Sequence, residues 1–491
     1  MGGRAGERAG GRLVITVSAL DDVAVGSPAA APRVGRRRVP TGAVVVGVCG
    51  AISVVSLALP ATLAFDPWAW LVWGREIGHL DLDTTGGPSW KPLPVLVTTV
   101  LAAAGDLAPT LWLVVARTAG LLAVVVTYRL AARFAGPAAG VVAAGLLLLT
   151  PDGGPRFLRL VIEGHSAPVT ATLCLWAVDR HLEGRHAQAL LLATAFSLER
   201  PEAWPFLVAY AVWLWRREPA RRPLVAGALA VVPVLWFGAD WWGSGDVWHG
   251  AAAAQVESSG LADRLSLVWE RTARMVVTPA WPAAAAALVT AWRRRERTLL
   301  VLGAGAAAWL LLVGTMSVTL GYAALSRFLL PAAAIVCVLA GVGVVRLATT
   351  VPRGAARLAC VAVIAAVSLP FVATRVSSFG TVVDGVTSRA ELESQLDLVI
   401  ERAGGPDVVL ACGRVVVRQS DVPRVAMAWK LDVPLDRVER QVGDRPAVVF
   451  VRAGRAEDAQ LAARPPDQVT QLGRSVQWAA YAIGCNPSAG S

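Results

Sequence analysis

Phe65–Pro94 reads FDPWAWLVWGREIGHLDLDTTGGPSWKPLP, a stretch that sets carboxylates, tryptophans and one lysine directly after an apolar run. That run, Ala43 to Phe65, is long enough to cross a bilayer, so Asp66 is expected at the mouth of the membrane on the far side. An acid at such a place is costly to keep without a task. Its position points to chemistry at the membrane surface, on a substrate carried by lipid.

Outside this stretch the composition is that of a polytopic membrane protein: 55% apolar residues, 16% charged and a mean hydropathy of +0.55, with apolar blocks recurring along the chain. The net charge of +11 does not indicate a nucleic-acid partner, because the arginines fall in short clusters at alternate ends of those blocks and so read as topology signals. The clusters are Arg36, Arg37 and Arg38; Arg129 and Arg133; Arg180 and Arg185; Arg216, Arg217, Arg221 and Arg222; Arg293, Arg294, Arg295 and Arg297; and Arg346, Arg353 and Arg357. Placing all six on the cytoplasmic face gives spans near 41–65, 109–128, 137–150, 163–180, 187–198, 203–215, 222–238, 275–292, 298–316, 327–347 and 357–374, about eleven in all. The N-terminus is then cytoplasmic and the C-terminus extracytoplasmic.

Segment 92–104, PLPVLVTTVLAAA, is short for a span and is expected to lie along the interface or re-enter. The short pair 187–198 and 203–215 is expected to meet at Arg200, Pro201 and Glu202 inside the protein, around a cavity. Three regions result: a disordered cytoplasmic tail, 1–40; an all-α transmembrane domain, 41–375, with an outer loop at 66–108; and a small extracytoplasmic α/β domain, 376–491.

In that last domain Ser388 to Glu391 reads as a capping box opening an amphipathic helix with Leu392, Leu396, Val399 and Ala403 on one stripe. Strands are expected at 408–412, 447–451 and around 476–483. Cys49, Cys174, Cys337 and Cys360 lie within expected spans and read as small apolar residues. Cys412 and Cys485, with no histidine nearby, favour a disulfide over a metal pair.

The order of landmarks resembles the GT-C superfamily of polyprenyl-phosphate-sugar-dependent glycosyltransferases, in the branch of protein O-mannosyltransferases and lipid A aminoarabinose transferases. An Asp follows the first span (Asp66), a Lys-Pro pair closes the first outer loop (Lys91, Pro92), and an Arg lies in the AR-x-x-G segment (Arg117). An acid then starts a later helix (Glu163), and SRFLLP (Ser326 to Pro331) enters a late span with Arg327. The segments DPWAWLVWGRE, GPSWKPLPV and RPEAWPF are similar to those of uncharacterised actinobacterial membrane proteins. The resemblance covers roughly residues 41–350 and implies a GT-C-like fold and inversion at the sugar. One departure is that Asp66-Pro67 stands where that branch carries Asp-Glu, which puts metal use and acceptor class in doubt.

Chemistry independent of the resemblance asks for the same residue types. A phosphate leaving group needs a cation, for which Lys91 is the first candidate and Arg327 and Arg117 follow. A carboxylate must take the proton of the attacking hydroxyl, for which Asp66 is best placed and Glu163 is next. Arg159, Arg200, Glu202, Trp68 and Trp90 are candidates for substrate contacts.

Each also has a plainer reading: Asp66 as a helix cap, Lys91 as a snorkelling anchor, Glu163 tied to Arg159 or Arg156, Arg200 paired with Glu202, and the tryptophans as an interfacial belt. A divalent metal stays open, since Asp240, Asp246 and His249 offer one histidine and two loose acids.

Two functions therefore stand side by side. One is a glycosyltransferase of the cell membrane that moves a sugar from polyprenyl phosphate to an extracytoplasmic glycan, lipid or protein of the envelope. The other is a non-catalytic lipid or glycan transporter or an assembly scaffold. Acids gathered at the outer ends of the spans, without an internal repeat, favour the first.

Overall fold

The computed structural model describes residues 42–151, 156–255, 260–352, 354–419, 421–443 and 446–485. The expected tail at 1–40, with Arg36, Arg37 and Arg38, and Arg353 of the last cluster lie outside them.

Prolines and glycines set the helix boundaries. Helix α1 (Gly42–Val55) passes into a 3-10 turn at Ser56–Ala58 and then extended chain, because Leu59 precedes Pro60 and is driven to φ −89° and ψ 155°. The 41–65 run is therefore not one crossing helix. Asp66 instead occupies the first turn of a separate helix, α2 (Phe65–His79).

The chain continues through α3 (Pro92–Ala102), α4 (Ala108–Ala135), α5 (Pro137–Leu148), α6 (Arg156–Ile162), α7 (Ala167–Leu182), α8 (His186–Glu199) and α9 (Trp204–Arg217). Then come α10 (Arg222–Ser244), α11 (His249–Ala253), α12 (Leu261–Ala273), α13 (Ala280–Arg293), α14 (Arg297–Leu320), α15 (Leu330–Thr350) and α16 (Ala355–Ser377).

Among the described residues, five stretches are long and apolar enough to cross a membrane: Gly105–Ala135, Pro219–Ser244, Arg297–Leu320, Ser326–Thr350 and Ala355–Arg402. The expected count near eleven is not met by length, because α8, α9 and α13 have 14 residues each and reach only roughly 21 Å. Charged or proline-bearing breaks such as Arg200-Pro201 end them early.

Helix α15 is the axis of the bundle, buried from Leu330 to Gly343 and packed against α4, α5, α7, α13 and α14. Glycines allow this closeness: a Cβ at Gly343 would stand 1.8 Å from the Ala283 carbonyl oxygen, and one at Gly341 would stand 2.4 Å from that of Ala139. Helix α16 buries none of its residues.

Beyond it, α17 (Phe379–Arg402), α18 (Pro406–Leu410), α19 (Asp421–Lys430) and α20 (Ala456–Ala462) accompany a five-stranded mixed sheet of order β2-β1-β3-β5-β4. Its strands are β1 (Val415–Val417), β2 (Val438–Glu439), β3 (Ala447–Arg452), β4 (Val469–Arg474) and β5 (Trp478–Ile483). Strand β1 runs parallel to β2 and β3, whereas β5 is antiparallel to β3 and β4.

The stripe Leu392, Leu396, Val399 and Ala403 is buried with Trp478 and Val448 in this unit's core. Two local expectations are corrected here. Ser388 is inside α17 rather than at its start, because the helix already runs from Phe379 and leaves no capping position there. Residues 406–410 form a helix rather than a strand, since Gly405 at φ 87° turns the chain and Pro406 suits a first helical position.

The sheet unit is fastened to α2 and to the segment between α2 and α3. Arg75 donates to the carbonyl oxygens of Trp429 at 3.1 Å and Val433 at 3.0 Å, and Arg424 donates to that of Gly86 at 3.2 Å. Cys412 and Cys485 are joined by a disulfide, with their Cα atoms 5.9 Å apart.

Candidate active site

Helix α2 begins at Phe65, so Asp66 stands in its first turn, at the positive end of the helix. It is buried, and two cations face it: Arg327 Nη2 at 3.0 Å and Lys91 Nζ at 3.8 Å. Burial alone would raise the Asp66 pKa, but Arg327, Lys91 and the more distant His165 and Arg200 outweigh it and hold the group below its usual range.

Lys91 is held in place by its neighbours in sequence. It is extended at φ −145° just before Pro92, which opens α3 and points the side chain back toward α2. Its ammonium stands 3.8 Å from Glu199 Oε1 as well as from Asp66 Oδ2, and 5.0 Å from the centre of the Trp70 ring. Burial, reinforced by the Arg200 charge, pushes Lys91 down to about 8. Burial pushes Glu199 up, against the pull of Lys91.

The α8–α9 break supplies the rest. Arg200 is 2% exposed with its guanidinium 4.1 Å from the centre of the Phe328 ring, and Glu202 accepts a 2.8 Å hydrogen bond from the Tyr322 hydroxyl.

Asp66, Lys91, Glu199, Arg200, Tyr322 and Arg327 line one cavity of about 580 Å³, bounded by α2, α10, α14 and, at one rim, Asp421, Arg424 and Arg440 of the sheet unit. A second cavity of about 430 Å³ adjoins it and shares Leu325 and Arg327. Its walls carry Arg156, Arg159, Arg271, Arg274 and Arg327 against Glu163 and Glu270, an excess of cations suited to an anion. Arg271 is aimed by hydrogen bonds to the Ala323 and Ala324 carbonyl oxygens at 2.6 and 2.9 Å.

Asp66, Lys91, Arg200 and Arg327 thus meet in one place, and Glu163 and Arg159 line the adjoining one. Glu163 is heavily paired: it meets Arg159 Nε at 2.8 Å, His165 Nε2 at 3.4 Å and the Arg389 guanidinium of α17. It serves as a tie between α6 and the C-terminal unit.

Arg117 is not brought to the site. Its guanidinium donates to Ser56 O and Ser56 Oγ at 3.1 and 2.9 Å and to Ile162 O at 3.1 Å, joining α4 to the turns around it. Trp68 and Trp90 belong to the core, with Trp90 Nε1 donating to Leu235 O at 3.1 Å.

Asp240 accepts from the Gly250 N–H at 3.1 Å, Asp246 from that of Trp248 at 2.9 Å, and His249 Nε2 faces Thr84 O at 3.1 Å. Among the described residues, no three His, Cys, Asp or Glu side chains gather as a metal site requires. Glu199, Tyr322 and Arg271 join the site without having been singled out in the sequence. Glu199 sits one residue before Arg200 at the same helix break, which was its only signal.

The architecture matches solved structures. ArnT from Cupriavidus metallidurans bound to undecaprenyl phosphate aligns with a TM-score of 0.56 at 16% identity, over 91% of this chain and 98% of that one. Its apo form aligns at 0.52 and 17% identity, over 90% and 97%. The chain shares the fold of ArnT. No protein-family model matches the sequence, and no curated protein matches it. Within this fold the two cavities and Asp66 lie at the end of the bundle that carries the sheet unit.

Proposed function

We propose that this protein is an inverting glycosyltransferase that transfers a sugar from a polyprenyl-phosphate donor to an extracytoplasmic acceptor of the cell envelope. The observation that carries this reading is the Asp66 carboxylate facing Lys91 and Arg327 at the junction of two cavities, one of them lined by arginines. The GT-C fold supports it, since ArnT was solved with undecaprenyl phosphate bound. The membrane end bearing the site faces outward in this reading, with the sheet unit outside and the arginine clusters in the cytoplasm.

The acceptor hydroxyl reaches Asp66 from the larger cavity and attacks the anomeric carbon while Asp66 takes its proton. The bond from that carbon to the phosphate oxygen breaks, and the polyprenyl phosphate leaves with one more negative charge than it carried in the donor. Arg327 and Lys91, with Arg271 beyond them, take up that charge. In the resting site the same two cations hold Asp66 ionised but weakly basic. A donor phosphate that draws them away leaves Asp66 a stronger base at the moment the acceptor is in place.

The test is transfer by purified wild-type and Asp66→Asn protein, offered a panel of radiolabelled polyprenyl-phosphate sugars with an envelope glycan extract. The reading expects one sugar to be transferred and the variant to lose about 10²- to 10⁴-fold while remaining folded. Absence of transfer by folded wild type from every donor would overturn it. Buried charges bear against the transporter alternative. Among the described residues they gather at the Asp66 end, in the sheet unit at Asp458 and, around Asp179 and Arg346, at arginine clusters assigned to the other end; Arg117, within α4, is the exception and is tied to Ser56 and Ile162.

A further inference from the structure

We infer that the protein carries a second, non-catalytic site for a neutral oligosaccharide, in a cavity where the sheet unit meets the start of the membrane bundle. The inference goes beyond the transferase reading and does not rest on it. The cavity, of about 730 Å³, is larger than the two at Asp66 and, among the described residues, shares no lining residue with them. It lies between two structural units, a setting in which ligand sites concentrate.

Four elements build it. Trp68 and Arg75 come from α2, Asp106 from the turn between α3 and α4, Asp397 from α17, and Trp429 and Lys430 from α19. Asp432 follows α19 at φ 55°, a left-handed conformation that Asp tolerates better than most side chains, and sets its carboxylate 2.8 Å from Arg75 Nη1.

The chemistry of the walls selects the occupant. Beside the Arg75–Asp432 pair, Lys430 donates to both Asp397 oxygens, at 2.6 and 2.5 Å. In each pair the cation is mostly covered, at 14% and 16% exposure, and the acid is open, at 75% and 63%. Open carboxylates held in this way keep lone pairs for neighbouring hydroxyls of a sugar ring. Trp429 is only half-buried, with the Arg75 guanidinium 5.2 Å from its ring centre, and with Trp68 it adds the aromatic surface on which a sugar face packs.

A phosphate does not suit these walls. Arg75, Lys430 and His79 meet three acids here, Asp106, Asp397 and Asp432, whereas the cavity beyond Arg327 sets five arginines against two glutamates. The same balance disfavours a phospholipid headgroup. Helix α19 links the new site to the reaction, since Asp421 and Arg424 near its start form the rim of the Asp66 cavity while Trp429 and Lys430 at its end line this one. Its 10 residues span about 15 Å, so a glycan held at Trp429 is kept beside the reaction without occupying it.

The experiment uses the full-length protein in lipid nanodiscs, free of sugar-based detergent, with neutral gluco-, manno-, galacto- and arabino-oligosaccharides as probes. Saturation-transfer NMR and calorimetric titration read binding with no donor present. At least one series is expected to bind. Trp429→Ala and, separately, Asp397→Leu, at a position open to solvent, are expected to weaken it at least about tenfold, the scale of losing a central contact. Trp429→Phe, which keeps an aromatic face, is expected to recover most of the affinity, and Asp66→Asn to leave it unchanged.

Absence of binding by folded wild type, unaltered binding in both variants, loss of binding in Asp66→Asn, or displacement of the glycan by glycerophosphoethanolamine would overturn the inference and leave the transferase reading in place. Failure to cleave any donor would overturn the transferase reading alone, because binding at Trp429 requires no turnover.

Discussion

Arg327 Nη2 and Asp66 Oδ2 stand 3.0 Å apart, across a junction that joins the first turn of α2 to the entry of α15. The pair couples the two tasks of the proposed reaction, since one cation both restrains the base and is available to the leaving phosphate. Arg327→Met removes that cation. Transfer is expected to fall about 10²- to 10³-fold, the range seen when one transition-state donor is lost. Comparing kcat and the donor KM in the variant checks this, and the loss belongs mainly in kcat.

Lys91 gives the reaction a pH limit. Its pKa is about 8 in the folded protein against an ordinary 10.5, so its positive charge is lost as pH rises through 8. Donor turnover, kcat/KM against pH, is expected to decline above about pH 8. In Lys91→Arg that alkaline limb should move well above pH 10, because arginine keeps its proton. Stability moves the other way. Between pH 8 and 10.5 the unfolded chain binds more protons at this position than the folded one, so the Lys91 contribution to folding becomes more favourable as pH rises. A thermal denaturation series across that window separates the two effects.

Particular residues mark what was legible in the chain. Asp66, Lys91 and Arg327 stand at helix starts next to proline or after a break, positions that fix where a side chain emerges, and it is the resemblance in the order of landmarks that marks them out as a set. Arg117 lies mid-helix in α4, where the face that meets a neighbour depends on packing, and it was turned toward Ser56 and Ile162 instead. Glu199 carries no pattern of its own beside Arg200, since only the packing of α8 brings it within 3.8 Å of Lys91. The Ser388 box failed for a different reason, since a local capping pattern has no force once a helix arriving from Phe379 already supplies the hydrogen bonds.

The disulfide between Cys412 and Cys485 spans a sequence separation of 73 residues and encloses β1 through β5. A cross-link of that length restricts the unfolded chain by roughly 4 kcal/mol in the loop-entropy model. Cys412→Ser is expected to lower the stability of the sheet unit by about 2–4 kcal/mol, read as earlier protease cleavage within residues 413–484 and as a lower urea midpoint. The same shift should follow from adding reductant to the wild type, and the variant should then be insensitive to it.

Gly86 is where the sheet unit meets the segment that leads to Lys91. A Cβ there would stand 2.6 Å from Asp436 N and 2.9 Å from Leu435 C, both backbone atoms that cannot rotate away. Gly86→Val therefore forces the two parts apart and strains the hydrogen bond from Arg424 to the Gly86 carbonyl. The cost is expected to be about 1–3 kcal/mol, typical of overpacking. It should appear as faster protease cleavage between 80 and 91 and as weaker acceptor use, because the rim bearing Arg424 and Asp421 is displaced from the cavity. Gly78→Val is the control. Nothing lies within 4 Å of a Cβ at Gly78, so it isolates the general cost of losing a glycine from the specific cost of the clash. If Gly86→Val and Gly78→Val behave alike in both assays, the sheet unit does not depend on this contact for its placement over the site.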